Sequence, residues 1–244
     1  MNMKHLQLLF ISIACLGVTA VAGASDATIS GTVVITRTLT KPRITLPAYQ
    51  LRGAPVGFEV QARGRGGVAR DDEISRVVVY LEGPGLRLGT PVKGSLAQKG
   101  RQFAQEVIVV PLGSTVSFPN DDAIFHNVFS LSKAKQFDLG YYPKGQTRVV
   151  RFDRAGVVQV YCHIHANMSA AILVAPTAWW TRPSRDGRFS LGNVPPGDYT
   201  LVAWHRSAGF FRRHVTVRVG ETLKINFTIP VKAPSELLEA RSGQ

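Results

Sequence analysis

An all-β chain carrying two antiparallel sandwiches in series is what this sequence predicts. From Arg76 onward, short runs rich in Val, Ile and aromatic residues (RVVVYLEG, FAQEVIVVPLGSTVSFPN, TRVVRFDRAGVVQVYC, MSAAILV) are separated by Gly, Pro or Asn-Asp. Strands at this spacing belong to an antiparallel sandwich. Past Pro176 the punctuation changes to Asp186-Gly187 and Pro195-Pro196-Gly197, with Phe189 and Leu191, then Tyr199, Leu201 and Ala203, alternating with mainly polar neighbours. That period of two marks a second, smaller sandwich. The first region holds no convincing amphipathic helix.

Taken in order, residues 1–24 read as a secretory signal peptide. Lys4 supplies a positive start, Leu6 to Val21 is mostly apolar, and Ala22-Gly23-Ala24 offers small residues for cleavage. Polar Gln7, Ser12 and Thr19 interrupt the apolar run, which is short for a membrane span of roughly 18–20 residues. An exported, periplasmic protein is expected. Residues 25–75 combine a short strand, Thr28 to Ile35, with an Arg/Gly-rich linker whose RGRGGVAR stretch is the loosest part. A net charge of +13 attracts acidic partners or an anionic envelope surface, and export argues against nucleic acid.

The stretch Val116 to Val174 concentrates the chemistry. Beyond the first fifteen residues the chain has one cysteine, Cys162, and one methionine, Met168, with His163 and His165 between them. An oxidising compartment normally pairs thiols, and a single one cannot form an internal disulfide. The ordinary explanation for such a residue is a buried, hydrophobe-like thiol. Thiolate, imidazoles and a weak thioether together are instead the donors of a trigonal His2Cys copper site with a distant Met. Cys162 should close one strand and Met168 open the next, so that the loop carries its donors to one end of the sandwich. His126, 36 residues before Cys162 and following FPNDD, must reach the same end. The expected ligands are His126, Cys162, His165 and Met168, around one copper ion.

His163, adjacent to Cys162 at a strand end, should point to the opposite side. A closed zinc site of His126, Cys162, His163 and His165 is the rival, although it leaves Met168 without a role. His205 and His214, in LVAWHRSAGFFRRHVTV, are ordinary core or surface imidazoles.

These residues carry a resemblance. His126-Asn127-Val128 followed by Cys162-x-x-His165-x-x-Met168 resembles the cupredoxins, most of all the amicyanin type, across residues 76–176. The longer strings FPNDDAIFHNVFSLSKAKQFDLG and YCHIHANMSAAILV are similar to plastocyanin-like, methylamine-utilisation proteins. The resemblance implies a Greek-key sandwich, type 1 copper and single-electron transfer. It also implies that Asn127 hydrogen-bonds near the ligand loop and restrains the thiolate.

Residues 177–232, on DGRFSL and PPGDYTL, resemble the transthyretin-like or carboxypeptidase regulatory-like sandwich. Within them Val215, Val217 and Val219, a Gly220-Glu221 turn, and Leu223 to Ile229 read as a hairpin. Trp179-Trp180 reads as packing between modules. A tail, 233–244, is assigned nothing. The chain lacks a G-x-S-x-G elbow, an H-E-x-x-H helix and a phosphate-cradling loop, and its histidines are too few for a multicopper oxidase. The expectation is a non-enzymatic electron carrier serving an acidic periplasmic cytochrome or dehydrogenase. A copper-handling or envelope-binding structural protein is the alternative.

Overall fold

The computed structural model describes residues 27–37, 39 and 73–230. The expected leader, most of the linker with RGRGGVAR, and the tail lie outside these residues.

The regular structure of the described chain is almost entirely β-strand. β1 (Ala27–Ile35) and β2 (Val77–Glu82) are followed by three short strands, β3 (Lys93–Ser95), β4 (Gln98–Lys99) and β5 (Gln102–Phe103). Next come β6 (Val107–Pro111), β7 (Thr115–Pro119), β8 (His126–Ser132), β9 (Lys135–Tyr142) and β10 (Thr147–Arg151). The series continues with β11 (Gly156–Tyr161), β12 (Ser169–Ala175), β13 (Trp180–Thr181) and β14 (Arg188–Val194). It closes with β15 (Gly197–His205), β16 (Gly209–Val217), β17 (Thr222–Lys224) and β18 (Phe227–Ile229).

Four sheets stack in series. An outer sheet, β10-β7-β3, packs against the five-stranded β6-β12-β11-β8-β9 around Phe118, Tyr142, Phe152 and Ile172. The chain crosses between these two sheets from β7 to β8, from β9 to β10 and again from β10 to β11, as the strands of a Greek-key sandwich do. The four-stranded β13-β2-β15-β16 packs against β14-β1-β17 around Ile29, Val79, Leu201 and Phe227, with β18 also pairing β1. A third cluster, including Val78, Tyr80, Val202 and Trp204 on one side and Val107, Ala171 and Leu173 on the other, joins the two sandwiches.

This middle layer explains the sequence locally. In β12, Ala170, Ile172 and Val174 enter the first sandwich's core, whereas Ala171 and Leu173 enter the shared one. In β2, Val77, Val79 and Leu81 face one way and Val78 and Tyr80 the other. Strands covered on both faces read as unbroken apolar runs. On β7, the central strand of the outer sheet, only Val116 and Phe118 are buried, and Thr115 and Ser117 alternate with them.

Two expectations differ from the observed pairing. RVVVYLEG, expected within residues 76–176, pairs as β2 with β15 and β13 of the second sandwich, Val79 opposite Ala203. An apolar run without alternation carries no mark of which sheet it joins. The expected hairpin across Gly220-Glu221 does not pair with itself: β16 pairs with β15, and β17 runs parallel to β1. The hairpin that forms is β15–β16, with only Arg206 to Ala208 between its arms and Gly209 at φ 84°. A three-residue connection followed by a left-handed glycine is a common way to close such a hairpin.

Candidate metal centre

Two loops at one end of the first sandwich build the site. After β7, Asn120 is fully buried; its amide nitrogen donates to the carbonyls of Ile124 and Tyr142, and its oxygen accepts from the Asp122 N–H. That side chain stands in for backbone in a tight Asx turn. The turn delivers His126 as the first residue of β8, fully buried, so this imidazole belongs to the frame.

The second loop joins β11 to β12. The last pair of the ladder is Tyr161 with Ser169, and inside it the Cys162 N–H donates to the Met168 carbonyl at 3.2 Å. The Met168 N–H donates in turn to the His165 carbonyl at 2.9 Å. Seven residues are thereby closed on themselves.

Cys162 Sγ lies 3.9 Å from Nδ1 of His126 and 3.6 Å from Nδ1 of His165. All three ligand atoms fall within 4.8 Å of one another. Metal bonds to such donors run about 2.0–2.3 Å, so these sulfur–nitrogen separations are those of atoms that can share one ion. Cys162 is a free, buried thiol, Met168 is fully buried in the same core cluster, and His165 is half-buried at the rim. A soft, dry donor set of this kind fits copper.

Asp122 decides which nitrogen His126 presents. Its carboxylate lies 2.7 Å from His126 Nε2 and accepts backbone N–H bonds from Gly100 (2.6 Å) and Arg101 (2.8 Å) at the β4–β5 turn. Partial burial pushes its pKa up, but those two N–H donors and the imidazole outweigh it and hold the carboxyl at about 2. An ionised carboxylate can only accept, so Nε2 carries the proton and Nδ1 keeps its lone pair facing the thiol. Burial, together with His126 and Arg101, pulls the His165 imidazole below its ordinary value, which favours the neutral ring a metal needs.

Beneath the site, Tyr142 is fully buried, and burial raises its phenol to about 12. It donates to the Phe118 carbonyl at 2.9 Å and receives the Gln98 amide at 2.5 Å. The phenol therefore stays protonated and ties β9 to β7.

His163 stays outside the cluster. Its ring stacks on Phe129, with centroids 3.8 Å apart, and Nε2 lies 3.4 Å from Asp138. Asn127 departs from expectation: its amide donates to Asp138 (2.6 Å) and the Gly140 carbonyl (3.3 Å), both on β9, so it braces the β8–β9 pair and not the ligand loop. His205 is a core imidazole paired with Glu73, and His214 is exposed. Trp179 is in the second sandwich's core, and Trp180 packs against the shared cluster. Asp122 was not singled out from the sequence, although an acid four residues before His126 was visible in FPNDD.

Part of the chain is similar to cupredoxins. A purple cupredoxin from Nitrosopumilus maritimus is 21% identical with a TM-score of 0.31, covering 34% of this chain and 99% of that one. Amicyanin from Paracoccus versutus is 19% identical with a TM-score of 0.31, over 34% of this chain and 80% of its own. A Cu-containing nitrite reductase from Thermus scotoductus is 22% identical with a TM-score of 0.33, over 38% of this chain and 24% of that enzyme. The family model for polysaccharide lyase family 4, domain II, matches residues 175–225. This replaces the transthyretin-like or carboxypeptidase regulatory-like resemblance expected for residues 177–232. No curated protein matches the chain in sequence.

Proposed function

We propose that the protein is an exported, periplasmic, non-enzymatic electron carrier with one type 1 copper ion held by His126, Cys162, His165 and Met168. What carries the reading is the convergence of two imidazole Nδ1 atoms on one buried thiol, 3.6 and 3.9 Å away. When bound, copper supplies a one-electron couple, exchanged with a partner at the rim where His165 is half-exposed. The chain's own residues do the rest. Asp122 holds His126 in one tautomer, the Met168 carbonyl restrains the Cys162 backbone, and the core of Phe118, Tyr142 and Met168 excludes water. A site shaped by the β frame before metal arrives changes little between oxidation states, which speeds electron exchange.

Zinc is the poorer occupant. A closed site would need His163, which is committed to the Phe129 face. Ile164, the chain neighbour of His165, and Ile124 and Phe125, the two residues before His126, are all exposed, on a chain of net charge +13. An acidic redox protein such as a periplasmic cytochrome or dehydrogenase suits that surface, with charge setting the encounter rate.

Adding Cu(II) to the purified protein should give an intense band at about 600 nm, from the thiolate-to-copper transition. Cys162→Ser should lose the band and keep the far-ultraviolet β signature. A colourless protein that takes up zinc stoichiometrically would overturn the copper assignment. Slow exchange with a cytochrome combined with ready copper release would point to copper handling instead.

A further inference from the structure

The second sandwich reaches the base of the ligand loop. Arg206, in the β15–β16 turn, donates from Nη2 to Ser169 Oγ at 2.9 Å, and its Nη1 lies 3.2 Å from Glu106 Oε2. The same Glu106 oxygen receives Arg76 Nε at 2.6 Å, from the residue preceding β2. Arg206 N–H also bonds the Arg76 carbonyl at 3.3 Å, and the Ala171 N–H bonds the Glu106 carbonyl at 2.9 Å. Two guanidinium groups from one sandwich thus converge on a carboxylate and a hydroxyl from the other. Charge-assisted contacts of this kind, made by a rigid planar fork, are strong and directional.

Ser169 is covalently next to Met168. The peptide joining them carries the carbonyl that accepts the Cys162 N–H, and the Met168 side chain is fully buried. Arg206 therefore acts on the loop through one bond to Ser169, one peptide, and one bond to Cys162. Its own position is held from behind. His205 Nδ1 accepts from the N–H groups of Ser207 and Ala208, both at 3.1 Å, and its Nε2 lies 3.1 Å from buried Glu73. The turn bearing Arg206 is anchored in the second module's core.

We infer that Arg206 is a positioning residue for the metal centre, so that the second sandwich holds the Met168–Ser169 peptide and with it the backbone of Cys162. This rests on the copper reading proposed above, and one arm of its test does not need the metal. In the metal-free full-length protein, Arg206→Gln and Ser169→Ala should each speed amide hydrogen exchange at Cys162 and Met168 by about tenfold or more, the size of losing a hydrogen bond to a charged group. Exchange in β7 and β10 should stay as in the parent. In the copper-loaded protein both variants should change the relative intensity of the bands near about 450 and 600 nm, since these report thiolate and axial-ligand geometry. Arg206→Lys, with charge but no fork, should fall between.

Ser169→Ala leaves the Arg206–Glu106 contact intact, so it separates loop positioning from docking should Arg206→Gln fold poorly. Unchanged exchange at residues 162–169 in Ser169→Ala, or a rise matched everywhere in the sheet, would overturn the inference and leave Arg206 as an interface cross-link. A parent protein without a visible band would sink the copper reading alone; the exchange result would still decide the positioning role.

Discussion

Asp122 sets the chemistry of His126 from outside the donor set. Asp122→Asn would put a neutral amide, free to flip, where a carboxylate now holds the Nε2 proton. Copper affinity should fall about 10–100-fold, the usual loss when an outer partner of a ligating histidine is removed; competition with a chelator of known affinity measures it. The same carboxylate gives an acid dependence whose sign follows from its direction of shift. Its folded pKa, about 2, lies below the unfolded value, so its contribution is present above roughly pH 4 and is lost as pH falls toward 2. Metal-free parent protein should therefore lose thermal stability over that window more steeply than Asp122→Asn. Equal slopes would show that folding does not hold the Asp122 carboxylate ionised.

Among the elements, two glycines mark where backbone decides. Gly209 ends the β15–β16 turn at φ 84° with open space around it, so a side chain there meets only its own backbone. Gly209→Ala should cost about 1–2 kcal/mol, read from urea unfolding. Gly31, in the middle of β1, has the Ile225 carbonyl where a Cβ would stand. That approach lets the Ile225 N–H bond the Ser30 carbonyl at 2.8 Å and carries the chain from β17 to β18 along one side of β1. Gly31→Ala should be the more damaging change, because backbone must move. If it proves the milder one, the close packing of Ile225 on β1 is not as described.

The two sandwiches share a core and should therefore unfold as one body. Trp204 and Val202 of β15 meet Leu173 and Ala171 of β12, and Arg182 adds bonds from the second module to the carbonyls of Ser75 and Val107, at 3.0 and 2.6 Å. Burial pulls the Arg182 pKa down without removing its charge, since the ordinary value is so high. Trp204→Ala should cost about 3–5 kcal/mol and Leu173→Ala about 2–5 kcal/mol. Calorimetry on the parent should show one transition, and Trp204→Ala should lower or split it. Two well-separated transitions in the parent would mean that the sandwiches unfold independently.

The strands, their turns and the donors were legible because each is written locally. Alternation in Thr115 to Phe118 exposes a half-covered strand, and Cys162, His165 and Met168 are close in any chain that turns between β11 and β12. Sheet membership was not legible for β2 or for β16 and β17: RVVVYL is apolar on both faces, and a Gly-Glu turn looks alike whether the chain folds back or crosses to another sheet. Likewise Asn127 turned to Asp138 on β9 and Asp122 to His126, choices made by which side chains the fold brought within reach. The amino-acid sequence by itself determined the fold class and the kind of ion the donors suit, since both follow from side-chain type and short-range spacing. That His126 would reach Cys162 was expected from the donor set and the cupredoxin resemblance, and tertiary structure supplied the geometry, 3.9 Å from Nδ1 to Sγ. Tertiary structure alone decided that Arg206 of one sandwich braces the ligand loop of the other, because contacts between residues far apart in the chain depend on how sheets stack, which no local pattern encodes.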